Sequence, residues 1–167
     1  MPMLITLTGF MASGKTTVGR LLASSLGCPF LDLDEVIVQK AGRSIPAIFA
    51  ADGEAGFRKL EKQALEQTVS RYAENTAVLA LGGGTVTVPG AIKLLQEKTT
   101  CIYLQASLES IQARLSTHPG GRPLADEHLA QRFAERGPLY TEAAHVTVDT
   151  DGLTPEQITD EIIIDCL

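Results

Sequence analysis

Apolar positions along the chain alternate between two rhythms. Residues 3 to 8, MLITLT, form a short apolar and β-branched run that stops at Gly9, the pattern of a buried strand in a parallel sheet. From Lys15 the spacing changes: Val18, Leu21, Leu22 and Leu26 recur at helical intervals until Gly27 and Pro29 end the run. Phe30 to Leu33 reads as a second strand, with Asp32 and Asp34 alternating at its C-terminal end, and Glu35 to Val38 begins a helix that reaches Gly42. Residues 44 to 72 are predicted helical in pieces, mostly polar and insert-like. Ser44 is the expected cap, and Gly53 and Gly56 break the run before Phe57 to Tyr72.

The same alternation continues to the end. AVLAL at 77 to 81 is a third strand that runs into Gly82, Gly83 and Gly84, and Pro89 suits the first turn of the next helix. Thr100 to Leu104 is a fourth strand, Leu108 to Leu115 a helix, and THPGGRP at 117 to 123 a Gly/Pro-rich loop. Leu129 to Ala144 is helical on pattern, interrupted by Gly137 and Pro138; Val146 to Val148 is a fifth strand, and a last helix starts at Pro155. Strands alternating with helices imply right-handed βαβ crossovers, hence an α/β fold with a parallel sheet covered on both faces and ligands beyond the C-terminal strand ends.

Composition narrows the setting. With 167 residues, 44% apolar and 20% charged, the chain is expected to form one domain that buries its own core. A net charge of −6 without a basic run argues against nucleic acid and membrane surfaces, so an anionic ligand must be captured locally. Cys28, Cys101 and Cys166 are an odd set with no metal-like spacing, and the first residues lack the basic flank and apolar length of a leader or span. Both features lead us to expect a cytoplasmic protein. The absence of long apolar surface runs favours a monomer.

The chemistry starts at Gly9-Phe10-Met11-Ala12-Ser13-Gly14-Lys15-Thr16, which fits G-x-x-x-x-G-K-[ST] without a mismatch between a strand and a helix. Phosphate oxygens need backbone N–H groups aimed inward at a helix N-terminus, so Ala12, Ser13, Gly14, Lys15, Thr16 and Thr17 are the candidate ATP-binding residues. Lys15 neutralises the β- and γ-phosphates, and Thr16 offers its hydroxyl to Mg²⁺. A P-loop alone leaves the acceptor open. No Asn-Lys-x-Asp or Thr-Lys-x-Asp motif supports a GTPase. Asp32 and Asp34 divide the work, one facing the metal and the other an acceptor hydroxyl, while Arg58 and Arg136 are candidates for gripping a carboxylate with a guanidinium fork.

At this point a larger pattern emerges. GFMASGKTTVGRLLA at 9 to 23, DLD at 32 to 34, GRSIPAIF at 42 to 49, GEAGFRKLE at 53 to 61, GGG at 82 to 84, RPL at 122 to 124 and RGPLY at 136 to 140 resemble the shikimate kinase family in order and spacing. The resemblance implies a P-loop fold of the nucleoside monophosphate kinase type with sheet order 2-3-1-4-5, a substrate-binding segment at about 33–61 and a lid at about 114–126. It implies transfer of the γ-phosphate of ATP to the 3-hydroxyl of shikimate, with Mg²⁺ held by Thr16 and, through water, by Asp32. Asp34 would hold the acceptor hydroxyl, Arg58 and Arg136 the carboxylate, Gly82, Gly83 and Gly84 the ring, and Arg122 the transferring phosphate. Arg114 is the nearest match, imperfectly spaced, to a family arginine just before the lid, and His145 stands where the family often has aspartate. Two rivals remain open: a related kinase for another sugar acid such as gluconate, and a regulatory module that holds ATP without turnover.

Overall fold

In the computed structural model, which describes residues 3–117 and 128–167, five strands form one parallel sheet. They are β1 (Leu4–Thr8), β2 (Phe30–Asp32), β3 (Ala77–Ala80), β4 (Thr100–Gln105) and β5 (Val146–Asp149), in spatial order β2-β3-β1-β4-β5. The register places Leu4 opposite Ala77, Ile5 opposite Thr100, Phe30 opposite Val78 and Ile102 opposite Val146. The expected order is therefore present, and the central strand is the one that feeds the P-loop.

The two-residue period of a strand divides the core into two layers. On one face Leu4, Leu79, Cys101 and Tyr103 pack with residues of α2 (Leu33–Ala41), α3 (Ile45–Arg71), α4 (Ala91–Lys98), α5 (Leu108–Thr117) and α6 (Leu129–Ala143). On the other, Ile5, Leu7, Val78, Ile102 and Leu104 meet Val18 and Leu22 of α1 (Lys15–Leu26) and Ile158 and Ile162 of α7 (Pro155–Cys166). Burying a side chain such as Leu22 contributes about 2 kcal/mol. Ser44 and Thr154 cap α3 and α7, their hydroxyls accepting the N–H of Ala47 at 3.2 Å and of Gln157 at 3.1 Å.

Several local expectations need correction. The second strand ends at Asp32, which caps α2: its Oδ1 accepts the Asp34 N–H at 2.9 Å. Asp34 therefore sits in the first helical turn, and the two aspartates do not alternate on one strand. A short polar side chain at a strand end competes for the free N–H groups of the next helix, and here the cap wins. Within α3 only Gly53 leaves helical geometry, at φ 68° and ψ −175°; Gly56 stays helical, and a Cβ there would lie 2.3 Å from that of Asp52. The segment is also less insert-like than its polarity suggests, because Ile48, Phe57, Ala64, Leu65 and Val69 enter the core.

Pro89 precedes α4 instead of lying inside it. A 3-10 turn at Thr85–Thr87 intervenes, and Gly90 takes the N-cap position. Helix α6, expected to be interrupted, runs unbroken through Gly137 and Pro138. Pro138 removes one donor, but Ala134, four residues earlier, is exposed, so its carbonyl can turn to water.

Candidate functional site

The loop from Gly9 to Gly14 joins β1 to α1 with a conformation few residues tolerate. Gly9 has φ 154°, and a Cβ there would stand 2.7 Å from the Leu104 carbonyl oxygen and 2.8 Å from Ser13 Oγ. Ala12 is left-handed at φ 60°, an unusual state for a residue with a side chain. The Ala12 carbonyl is held from outside by Arg114 of α5, whose Nη1 donates to it at 2.8 Å. Arg114, the match to the arginine expected just before the lid, thus braces the loop in this structure. Lys15 folds back and donates to the Gly9 and Phe10 carbonyls at 2.7 and 2.9 Å.

Thr16 and Asp32 face each other from α1 and the end of β2, with Thr16 Oγ1 donating to Asp32 Oδ2 at 3.3 Å. Both present oxygen, the donor type that Mg²⁺ prefers, and neither is buried, so water can complete a coordination shell. The pair fits a metal whose main ligands are phosphates and water. Among the described residues no cluster of three or more His, Cys, Asp or Glu side chains forms a metal cage. Thr17 is exposed one residue further along α1.

The acceptor candidates converge on the glycine turn after β3, each glycine admitting a different ionised group. A Cβ on Gly82 would be 3.5 Å from Asp34 Oδ1; on Gly83, 3.7 Å from Arg136 Nη1; on Gly84, 2.3 Å from Arg58 Nη2. The same Cβ on Gly83 would lie 3.5 Å from the Met11 nitrogen and 3.8 Å from the Gly9 oxygen. Hence α2, α3 and α6 bring charged side chains, and the P-loop its backbone, to one turn. The glycines were expected to admit a ring to backbone N–H groups; here the Arg58 guanidinium occupies the space a Gly84 side chain would fill.

Sequence reasoning missed two residues behind this arrangement. Glu61 is fully buried, and its Oε1 accepts from Arg58 Nη1 at 2.7 Å. A buried carboxylate has to be paired. Its i, i+3 spacing from Arg58 was the one available signal, though such spacing usually marks a surface pair. Tyr140, also buried, donates its hydroxyl to the Gly83 carbonyl at 2.5 Å. Burial pushes its phenol well above the usual range, while the neighbouring Arg136 guanidinium pulls the other way. Arg136 and Tyr140, four apart on α6, therefore approach the glycine turn together.

His145 is structural: its Nδ1 accepts the Cys101 N–H at 3.0 Å, which leaves Nε2 to donate to the Gln96 carbonyl at 2.9 Å. Arg122, His118 and residues 118–126 of the expected lid lie outside the described residues.

Comparison with known proteins adds an independent line. The family model described as shikimate kinase matches residues 11–167. The chain is 42% identical to a shikimate kinase of Enterococcus faecalis over 164 residues, 95% of each chain. It is 45% identical to one from a Synechococcus strain over 94% of its own length and 80% of the relative's. A solved shikimate kinase from Acinetobacter baumannii in complex with shikimate has a TM-score of 0.85 and 38% identity, covering 98% of this chain and 92% of that one.

Proposed function

The chain belongs to the shikimate kinase family, and on that premise we propose that it transfers the γ-phosphate of ATP to the 3-hydroxyl of shikimate, giving shikimate 3-phosphate. The observation that carries this reading is the glycine turn, where Asp34, Arg58 and Arg136 approach Gly82, Gly84 and Gly83 beside the P-loop backbone. A phosphate on the loop and a hydroxyl acid at the turn would be neighbours. Positioning supplies most of what phosphoryl transfer needs.

In this reading Lys15 exchanges its two loop carbonyls for the β- and γ-phosphate oxygens. The charge-assisted bonds to phosphate offset the loss of those to Gly9 and Phe10. Thr16 and, through water, Asp32 would hold the divalent metal, which we assign as Mg²⁺; when bound, it would supply positive charge that offsets the charge developing on the phosphates. Asp34 accepts a hydrogen bond from the acceptor hydroxyl and orients its lone pair, without needing to be a strong base. Arg58 and Arg136 take the carboxylate from two sides. Arg122 is assigned to the transferring phosphate on the family resemblance, in a lid that excludes water so that ATP is not hydrolysed.

The rival kinase for another sugar acid such as gluconate would use the same P-loop and the same carboxylate grip, so the choice of acceptor separates the two readings. A non-catalytic ATP module has no use for Asp34. The test is ADP release from Mg-ATP with shikimate, quinate and gluconate offered separately, with no-acceptor and Lys15→Ala controls. Shikimate should stimulate release strongly, and Lys15→Ala should lower it by on the order of a hundred-fold or more. ATP binding without stimulation by any of the three acids would refute the acceptor assignment.

A further inference from the structure

Thr85 carries none of the roles assigned above, yet its side chain ends at the centre of the site. The residue is fully buried, opens the 3-10 turn, and donates its N–H to the Gly82 carbonyl at 3.2 Å. Its hydroxyl donates to Glu61 Oε2 at 2.9 Å, on the carboxylate whose other oxygen accepts from Arg58 at 2.7 Å. A methyl on Gly82 would lie 3.3 Å from that hydroxyl, 3.2 Å from Glu61 Oε2 and 3.5 Å from Asp34 Oδ1. The hydroxyl thus stands where the glycine turn, the buried carboxylate and the acceptor aspartate meet.

A carboxylate facing a guanidinium prefers to engage it through both oxygens, in two parallel bonds. Glu61 does not do so here. Arg58 gives it Nη1, while Arg58 Nε is buried without a hydrogen-bond partner, its nearest carboxylate being Glu54 Oε1 at 3.7 Å. The oxygen that would accept a second arginine N–H is the one Thr85 holds. We propose that Thr85 is a positioning residue for the acceptor: by occupying Glu61 Oε2 it limits the Glu61–Arg58 pair to one bond and leaves Arg58 N–H groups for the acceptor's carboxylate. Removing the hydroxyl frees Oε2 to draw the guanidinium into a two-bond pair. The fork would then turn away from the acceptor while the fold stays intact. The inference rests on reading Arg58 as a carboxylate grip, and so on the proposed function.

The test compares the parent enzyme with Thr85→Ala, Thr85→Val and Thr85→Ser in steady-state assays that vary shikimate and ATP separately, alongside thermal unfolding and a crystal structure of the Ala variant. The Ala and Val variants should raise KM for shikimate about ten-fold. KM for ATP should stay within about two-fold, and Ser should restore the parent value. The Ala crystal structure should show Arg58 bonded to both Glu61 oxygens. If the Val variant does not fold, the Ala variant, which adds no bulk, decides the outcome. An unchanged shikimate KM in Ala, an equal rise in both KM values, failure of Ser to rescue, or an unaltered one-bond pair in the crystal would each overturn the proposal. A parent with no shikimate-dependent turnover removes the proposed function and this inference with it; an active parent with an indifferent Ala variant removes this inference alone.

Discussion

Single residues here act through what they leave unpaired as much as through what they touch. Arg58→Ala removes the acceptor's proposed carboxylate partner and strands Glu61, whose side chain is 1% exposed. The activity cost should be about 2 to 5 kcal/mol in kcat/KM for shikimate, with ATP affinity little changed. The same variant should also lose about 3 to 5 kcal/mol of folding stability, because a buried charge is left without its partner. Denaturant unfolding beside the kinetics separates the two, and parent-like kinetics would refute the carboxylate assignment. Asp34 differs in being exposed in a helical turn, so Asp34→Asn should keep the fold while cutting kcat. Parallel melting curves and single-turnover rates would show it, and an unchanged rate would remove Asp34 from the chemistry. At this scale the P-loop was readable because each fixed residue type in it answers to one need: small residues, a lysine and a hydroxyl. Glu61 and Thr85 were not. Nothing in a Glu three residues after an Arg says that it will be buried, and a Thr after three glycines reads as a turn until the fold sets it against α3.

At the scale of elements, the site depends on a kink and a turn that glycine alone fits. Gly53 holds φ 68° and ψ −175°, a region nearly restricted to glycine, and it splits α3 so that residues 45–52 and 54–71 point differently. Gly53→Ala meets no neighbouring atom, so its effect should be backbone strain of about 1 to 3 kcal/mol, visible as a lowered Tm. An unchanged Tm would mean that the kink relaxes freely. Gly84→Ala is the opposite case: its Cβ would meet the Arg58 guanidinium at 2.3 Å, the end of a side chain that Glu61 restrains. The protein should fold, and KM for shikimate should rise at least about ten-fold through displacement of Arg58. Strand and helix rhythm foretold nearly every element, including the break at Gly53. It failed where a cap or solvent decided the outcome: Asp32 ended β2 one residue early, and an exposed carbonyl let α6 pass through Pro138.

The whole molecule places its titratable groups unevenly about the sheet. Cys101 is buried in β4, and burial pushes its thiol up to about 11, whereas Cys28 and Cys166 are half-buried near the ends of α1 and α7. A thiol reagent at neutral pH should therefore modify Cys28 and Cys166 first and Cys101 only on unfolding, which peptide mapping by mass spectrometry would establish. Tyr140 adds a pH dependence of definite sign. Its folded-state phenol stays protonated above the ordinary value of 10.0, so between that pH and its folded pKa the unfolded chain binds fewer protons than the folded one. Stability is fully present below pH 10.0 and is lost as pH rises beyond it. Tyr140→Phe should flatten that alkaline loss while costing about 1 kcal/mol at neutral pH for the bond to Gly83. Among the described residues no helix is long and apolar enough to cross a membrane, and a net charge of −6 on a molecule that handles anionic substrates requires their capture to be local.

The central claim is that phosphate passes from ATP to one hydroxyl of one acid, and product identity tests it most directly. Phosphorus and proton NMR of a mixture of enzyme, Mg-ATP and shikimate should show ADP and a phosphate monoester in equal amounts, with the ester's phosphorus coupled to the proton at carbon 3. Inorganic phosphate in place of the ester, or an ester on another hydroxyl, would contradict the account.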